Sequence, residues 1–282
     1  MTQPPVLAPA RPFFLDAAPG TRFCLYHAAD VHTGCRGAFI YVHPFAEEMN
    51  KSRRVAACQA RALAAQGYAV LQIDLFGCGD SSGDFADARW EIWKTDLAAA
   101  HAWLRREIAA PICLWGVRLG ALLALDFAHE FQGDIQSLLL WQPVLRGDAY
   151  LTQFLRIQTA AEMLAGQAPG ESGTHKLREK LYAGESVEVA GYRIAPAIAK
   201  GIEAVDAAAL VPRQPTHWFE LTQEPQRPLS PATSRLASSW AQHGAKPIIT
   251  RVQCPPFWLA QESDDCPELI TATSARFGIP PA

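Results

Sequence analysis

Residues 112–120 read Ile-Cys-Leu-Trp-Gly-Val-Arg-Leu-Gly and run straight into the Ala/Leu-rich stretch 119–130. An apolar strand that passes into a helix with almost no intervening loop must turn sharply. At such a turn the two backbones come so close that small residues are needed on both sides. Gly116 and Gly120 stand at those places, with Arg118 at the apex between them. Few architectures contain a buried strand joined to a helix in this way, and nearly all of them set it in a parallel sheet covered on both faces.

The rest of the chain keeps the same rhythm. An apolar strand at 37–43 precedes a helix predicted over 50–66, with Asn50 as its N-cap and Gly67 at its C-terminal end. A strand at 68–74 leads to an amphipathic helix at 89–106, where Trp93, Leu97, Ala100 and Leu104 recur at three- and four-residue steps. Strand 112–116, helix 119–130 and strand 137–141 follow. The alternation breaks from 148 to about 206, with helical segments around a Gly/Ser/Pro stretch at 166–174, a pattern expected of a cap inserted over the C-terminal edge of the sheet. It resumes with strand 216–222, helix 231–243, strand 247–252 and a helix near 265–277. The expected fold is α/β: one domain over 1–282, with a mostly parallel central sheet, helices on both faces and a helical cap insertion at approximately 148–206. There is no internal repeat.

Composition narrows the function classes. A net charge of −3 over 282 residues argues against nucleic-acid binding or strong attraction to a membrane surface. No apolar run reaches the roughly 18–20 residues that span a bilayer. The N-terminus lacks the basic start and apolar core of a signal peptide, so a cytoplasmic location is expected. Seven cysteines, an odd number without a C-x-x-C pair, are expected to be reduced and mostly buried. Eight histidines without metal-ligand spacing imply neither a metal site nor a cofactor.

Three motifs close three successive predicted strands: His43-Pro44-Phe45, Asp74-x-x-Gly77-x-Gly79-x-Ser81, and Gly116 to Gly120. Together they resemble the α/β-hydrolase superfamily, in which the third motif is the G-x-S-x-G nucleophile elbow. The stretches Pro44–Arg54 and Asp74–Gly83 resemble more narrowly the second of two hydrolase-like families associated with the exosortase A system, found in bacteria that sort PEP-CTERM proteins and make exopolysaccharide. The resemblance implies hydrolase ancestry and a partner from that system.

The catalytic parts of such a hydrolase are nevertheless incomplete in this sequence. Acyl hydrolysis on the fold needs Ser, then Asp or Glu, then His, in chain order. Arg118 holds the nucleophile position, and an arginine has no nucleophilic oxygen. No histidine lies beyond His243, which precedes the last strand. For the acid, Glu224 is nearest to the expected place, with Asp206 and Asp264 as other candidates. Pro44 removes one backbone N–H from the oxyanion loop, leaving the amides of Phe45 and Leu119 as donors.

Arg118 therefore has two readings. It forms an ion pair with Glu47 or Glu48, or it works with the N-terminus of helix 119–130 to hold a small anionic ligand. His43 either orients the oxyanion loop or packs structurally. Asp74, Gly77, Gly79 and Ser81 shape a tight loop. Cys78 and Cys254 are either displaced nucleophiles or inert thiols, and Trp141, Phe257 and Trp258 either line a pocket or fill the core. Three functions fit the sequence: a ligand-binding or accessory protein that has lost triad hydrolysis, an esterase-like or acyl-transfer hydrolase with non-standard residues, and a structural partner of a companion enzyme.

Overall fold

The computed structural model describes residues 8–30, 32, 34–164, 173–224, 226–260 and 265–278. Ten strands appear in chain order: β1 Arg11–Asp16, β2 Thr21–His27, β3 Gly37–Val42, β4 Tyr68–Ile73, β5 Ile112–Val117, β6 Leu138–Trp141, β7 Val187–Val189, β8 Tyr192–Ile194, β9 Thr216–Thr222 and β10 Ile248–Gln253. The helices are α1 Glu47–Ala65, α2 Trp90–Glu107, α3 Leu119–Glu130, α4 Gly147–Leu164, α5 Thr174–Tyr182, α6 Pro196–Glu203, α7 Pro231–Gln242 and α8 Pro267–Phe277.

Eight strands form one sheet in the order β1-β2-β4-β3-β5-β6-β9-β10. From β4 to β10 every pair is parallel, while β2 runs antiparallel to both β4 and β1. The central strands β3, β5 and β6 are buried along their whole length, which explains why they read as unbroken apolar runs. Two apolar layers flank the sheet. One, beneath α1 and α8, is built on Phe39, Trp115, Trp141 and Phe219. The other, beneath α2, α3, α7 and the inserted helices, is built on Ile40, Leu114, Leu140 and Trp218.

Strands β1 and β2 were not anticipated. Arg22 of β2 explains how a charged residue can sit inside such a strand. Its Nε donates to Asp96 of α2 at 2.7 Å, both side chains are fully buried, and Asp96 also accepts the Phe76 amide. Helix α1 begins at Glu47, three residues earlier than expected, so Asn50 lies within it and is not its N-cap. Ala46, at φ 51°, makes the turn instead, and the acidic pair Glu47 and Glu48 suits the positive end of the helix.

The insertion comprises α4, α5, the β7–β8 hairpin and α6. Its two roots are tied together by a bridge between Arg146 and Asp206, with Gly147 N–H donating to Val205 O at 2.9 Å. Most of the expected Gly/Ser/Pro stretch lies outside the described residues. No helix among the described residues is long and apolar enough to cross a membrane. The expectation of uniformly reduced cysteines is corrected: Cys254, just after β10, is disulfide-bonded to Cys266 at the start of α8. A separation of 12 residues with no recognisable motif gave no signal in the sequence.

Candidate functional site

The turn between β5 and α3 is as tight as its glycines imply. A Cβ on Gly116 would lie 2.4 Å from Ala121 Cα, and one on Gly120 would lie 2.3 Å from the carbonyl oxygens of Val42 and His43. Arg118 at the apex has φ 54° and ψ −120°, a conformation costly for any residue with a Cβ. It is held by three backbone bonds: its N–H donates to Trp141 O at 3.0 Å, and its carbonyl accepts from Ala121 at 3.0 Å and Val144 at 3.2 Å. The backbone geometry of a nucleophile elbow is present, with a guanidinium on it.

That guanidinium points into a closed aromatic and acidic cluster. Arg118 Nη2 lies 3.4 Å from Glu48 Oε1, with the two side chains 16% and 7% exposed. Its Cζ sits 4.7 Å from the centroid of the Trp258 ring and 5.8 Å from that of Tyr150, both within the range of cation–π attraction. Trp258 follows the last strand, in the segment where a hydrolase of this fold carries its histidine base. Buried Arg118 Nε and Glu47 Oε2 have no hydrogen-bond partner, and the Tyr150 hydroxyl stands beside the Glu48 carboxyl. Burial lifts Glu48 above the ordinary carboxylate value, with Arg118 pulling it back down. Glu47 is likewise raised by burial. Tyr150 is pushed well above the usual phenol value by burial and then by the Glu48 charge.

His43 is fixed behind this cluster. Its Nδ1 lies 2.7 Å from Pro44 O, and its Nε2 accepts the Leu75 amide at 3.2 Å. A carbonyl only accepts and an amide only donates, so the ring is neutral with its proton on Nδ1. Burial lowers its pKa in the same sense. His43 therefore braces the loop that carries Phe45. Phe45 packs edge-on against Phe154 of α4 at 5.0 Å and Phe85 at 5.2 Å, closing the cleft under the insertion. The amides of Phe45 and Leu119 donate to no backbone acceptor among the described residues.

Several expected participants lie elsewhere. Trp141 is fully buried on the α1/α8 face, where its indole N–H donates to Thr273 at 3.1 Å, so it fills core and lines no pocket. Glu224 is exposed and paired with Arg227, and Asp206 caps the short turn at 207–209. His243 ends α7 in solvent, bonded to Ser239 O. Asp264 lies outside the described residues. Ser81 donates to Asp74 O at 2.5 Å and accepts the Phe23 amide at 2.9 Å, leaving its hydroxyl committed to the loop. Cys78 is buried, and burial pushes its thiol far up, opposite to what a nucleophile needs. Cys254 is consumed by the disulfide. Tyr150 was missed because it sits in a predicted cap helix with no motif around it. No group of three or more His, Cys, Asp or Glu suited to a metal ion occurs among the described residues.

The family described as "Serine aminopeptidase, S33" matches residues 34–214. Human protein ABHD12B is 33% identical over 118 residues, which are 42% of this chain and 31% of that protein, so the chain spans about a third of the length of the curated relative it matches. The structure of Est1E from Butyrivibrio proteoclasticus with ferulic acid bound superposes with a TM-score of 0.64 at 14% identity, covering 94% of this chain and 96% of the other. An esterase from Pyrococcus furiosus gives 0.63 at 14% identity over 96% and 90%. At these identities the structural likeness speaks for the fold. With the eight-stranded sheet, the elbow and a family match over more than half its length, the chain belongs to the serine aminopeptidase S33 family of the α/β-hydrolase superfamily.

Proposed function

We propose that this chain is a non-hydrolysing member of its family, a ligand-binding or accessory protein whose cleft is centred on Arg118. One observation carries the reading: a guanidinium occupies the nucleophile position, paired with Glu48 and stacked on Trp258 from the segment where a base would stand. The ligand class it favours is a small carboxylate or phosphate. Such an anion competes with Glu48 for Arg118, and the raised pKa of Glu48 lets that carboxyl leave the pair by taking up a proton. The stretches Pro44–Arg54 and Asp74–Gly83 support a setting in an exosortase A or exopolysaccharide system, with a protein of that system as partner. The Cys254–Cys266 disulfide favours an oxidising compartment over the cytoplasm.

A second reading, hydrolysis with non-standard residues, draws on the Phe45 and Leu119 amides, which have no backbone acceptor among the described residues and would serve as oxyanion donors. A screen of acyl esters, thioesters and phosphoesters, run with a fluorophosphonate label and a thermal-shift panel of anions, separates the two. The binding reading expects no turnover, no labelling, and a rise in Tm with an anion that Arg118→Ala abolishes. Turnover that persists through re-purification overturns it.

A further inference from the structure

A cleft of about 170 Å³ lies on the α1 face of the sheet, beneath that helix, with half-buried Leu25, Ala57 and Gln72 and exposed Arg53 at its opening. Its roof is one stripe of α1, the residues Met49, Arg53 and Ala57 at four-residue steps. Its floor includes Leu25, Gln72 and Tyr41, which stand side by side across β2, β4 and β3 and therefore point to the same face. None of Met49, Ala57, Leu25 or Gln72 takes part in the Arg118 cluster.

The chemistry of the lining defines the occupant. Arg53 and Asp74 both border the space but bond each other at 3.0 Å, so their charges cancel within the wall. That pair is built in: a Cβ on Gly79 would overlap Asp74 Oδ2 and sit 2.8 Å from Arg53 Nη2. A charged guest would find no uncompensated counter-charge in this lining. Gln72 supplies one polar contact, and the buried Tyr41 hydroxyl, which has no hydrogen-bond partner, stands next to it across β3 and β4. Gln72 Oε1 accepts from His27 Nε2 at 3.0 Å, which leaves its amide nitrogen available to donate to a guest. The remaining wall is largely apolar, and an apolar cavity of about 150 Å³ is enough to hold benzene. We infer that this cavity binds a neutral, ring-sized molecule carrying one hydroxyl or carbonyl group, with the polar group on the Gln72 amide and the ring between α1 and the sheet.

Isothermal titration of the full chain with phenol, toluene and benzoate tests this. Saturable one-site binding of phenol is expected, tighter than toluene by about 3- to 10-fold, the worth of one hydrogen bond, and tighter than benzoate. Ala57→Leu fills the cavity with a good helix former and should weaken phenol at least about tenfold, with circular dichroism confirming that the variant folds. Gln72→Met should weaken phenol but leave toluene unchanged, and Arg118→Ala should leave phenol binding intact. No saturable phenol binding, equal binding by Ala57→Leu, loss of binding in Arg118→Ala, or benzoate binding as tightly as phenol would each overturn the inference.

Discussion

Replacing Arg118 by methionine removes the charge but keeps an unbranched side chain of similar reach. At 3.4 Å and an effective dielectric near 20, the Arg118–Glu48 attraction is worth about 5 kcal/mol before either ion's desolvation is counted. Without the guanidinium, Glu48 is left buried with no counter-charge, a situation that ordinarily costs about 3–5 kcal/mol. Glu48 has an escape, because it can take up a proton. Protonating a carboxyl of ordinary value 4.5 at pH 7 costs about 3.4 kcal/mol, at about 1.36 kcal/mol per pH unit, and this caps the penalty.

The destabilisation of Arg118→Met should therefore be about 3 kcal/mol at pH 7 and less than about 1 kcal/mol at pH 5. The sign follows from linkage. Burial already raises the folded-state pKa of Glu48, and loss of Arg118 raises it further. Stability is thus fully present below about pH 4.5 and is lost as pH rises through the folded value. Glu48→Gln should cost about 1–3 kcal/mol at every pH, because the stranded guanidinium cannot deprotonate but keeps Trp258 and some solvent. The double variant should fall within about 1 kcal/mol of the native chain. Urea denaturation of the four proteins at pH 5, 6 and 7 reads all of this. A pH-independent cost for Arg118→Met, or additivity in the double variant, would refute the account of the pair.

Three further outcomes follow from the structure. His217 accepts the Arg276 Nε–H at 2.9 Å, and burial followed by the Arg276 charge lowers its pKa to about 4. With the folded value depressed, its contribution is present above pH 6.5 and is lost as pH falls toward 4; allowing for water near the ring, it amounts to about 2 kcal/mol, and His217→Gln should flatten that limb of the acid denaturation curve. Gly120→Ala forces a methyl group to within 2.3 Å of two carbonyl oxygens and should cost at least about 3 kcal/mol by chemical denaturation. Reducing Cys254–Cys266, or replacing both cysteines by serine, removes a crosslink spanning 12 residues and should cost about 3 kcal/mol, read as a fall in Tm with reductant that the double serine variant no longer shows.

The parts of the fold that were legible are those where sequence and burial carry one message. β3, β5 and β6 are buried on both faces, so they read as strands without regard to their neighbours. β1 is mostly exposed, with Leu15 its buried residue, β2 mixes half-buried and buried residues, and they carry Pro12 and Arg22, so their signal was lost among the loops. Arg22 becomes intelligible only beside Asp96, 74 residues away. At the site, the elbow was legible because its glycines are demanded by a local close approach, and the Arg118–Glu48 pair followed from the loop facing it. Trp141 closes β6 and Trp258 follows β10, both at strand ends that looked equivalent in the sequence. The register of β6 turns Trp141 toward α8, and the loop after β10 turns Trp258 back over the elbow.

The persistence of the elbow is itself informative. In a hydrolase, the strained apex presents a serine oxygen to substrate, and the strain is tolerated because the chemistry requires it. Here the apex is an arginine at φ 54° and ψ −120°, a conformation that only glycine adopts without strain. The three backbone bonds at Arg118 and the close contacts at Gly116 and Gly120 show that the surrounding packing enforces the turn whatever side chain it carries. The backbone of the turn is thus fixed by its packing rather than by the side chain it carries. The residue that stands there is long enough to reach Glu48 across the turn and flat enough to stack on Trp258. A lysine would keep the charge but lose the planar stacking, and a small residue would leave Glu48 buried without a counter-charge. The hydrolase frame therefore accounts for where Arg118 sits, and the acidic and aromatic cluster around it accounts for why the residue is arginine.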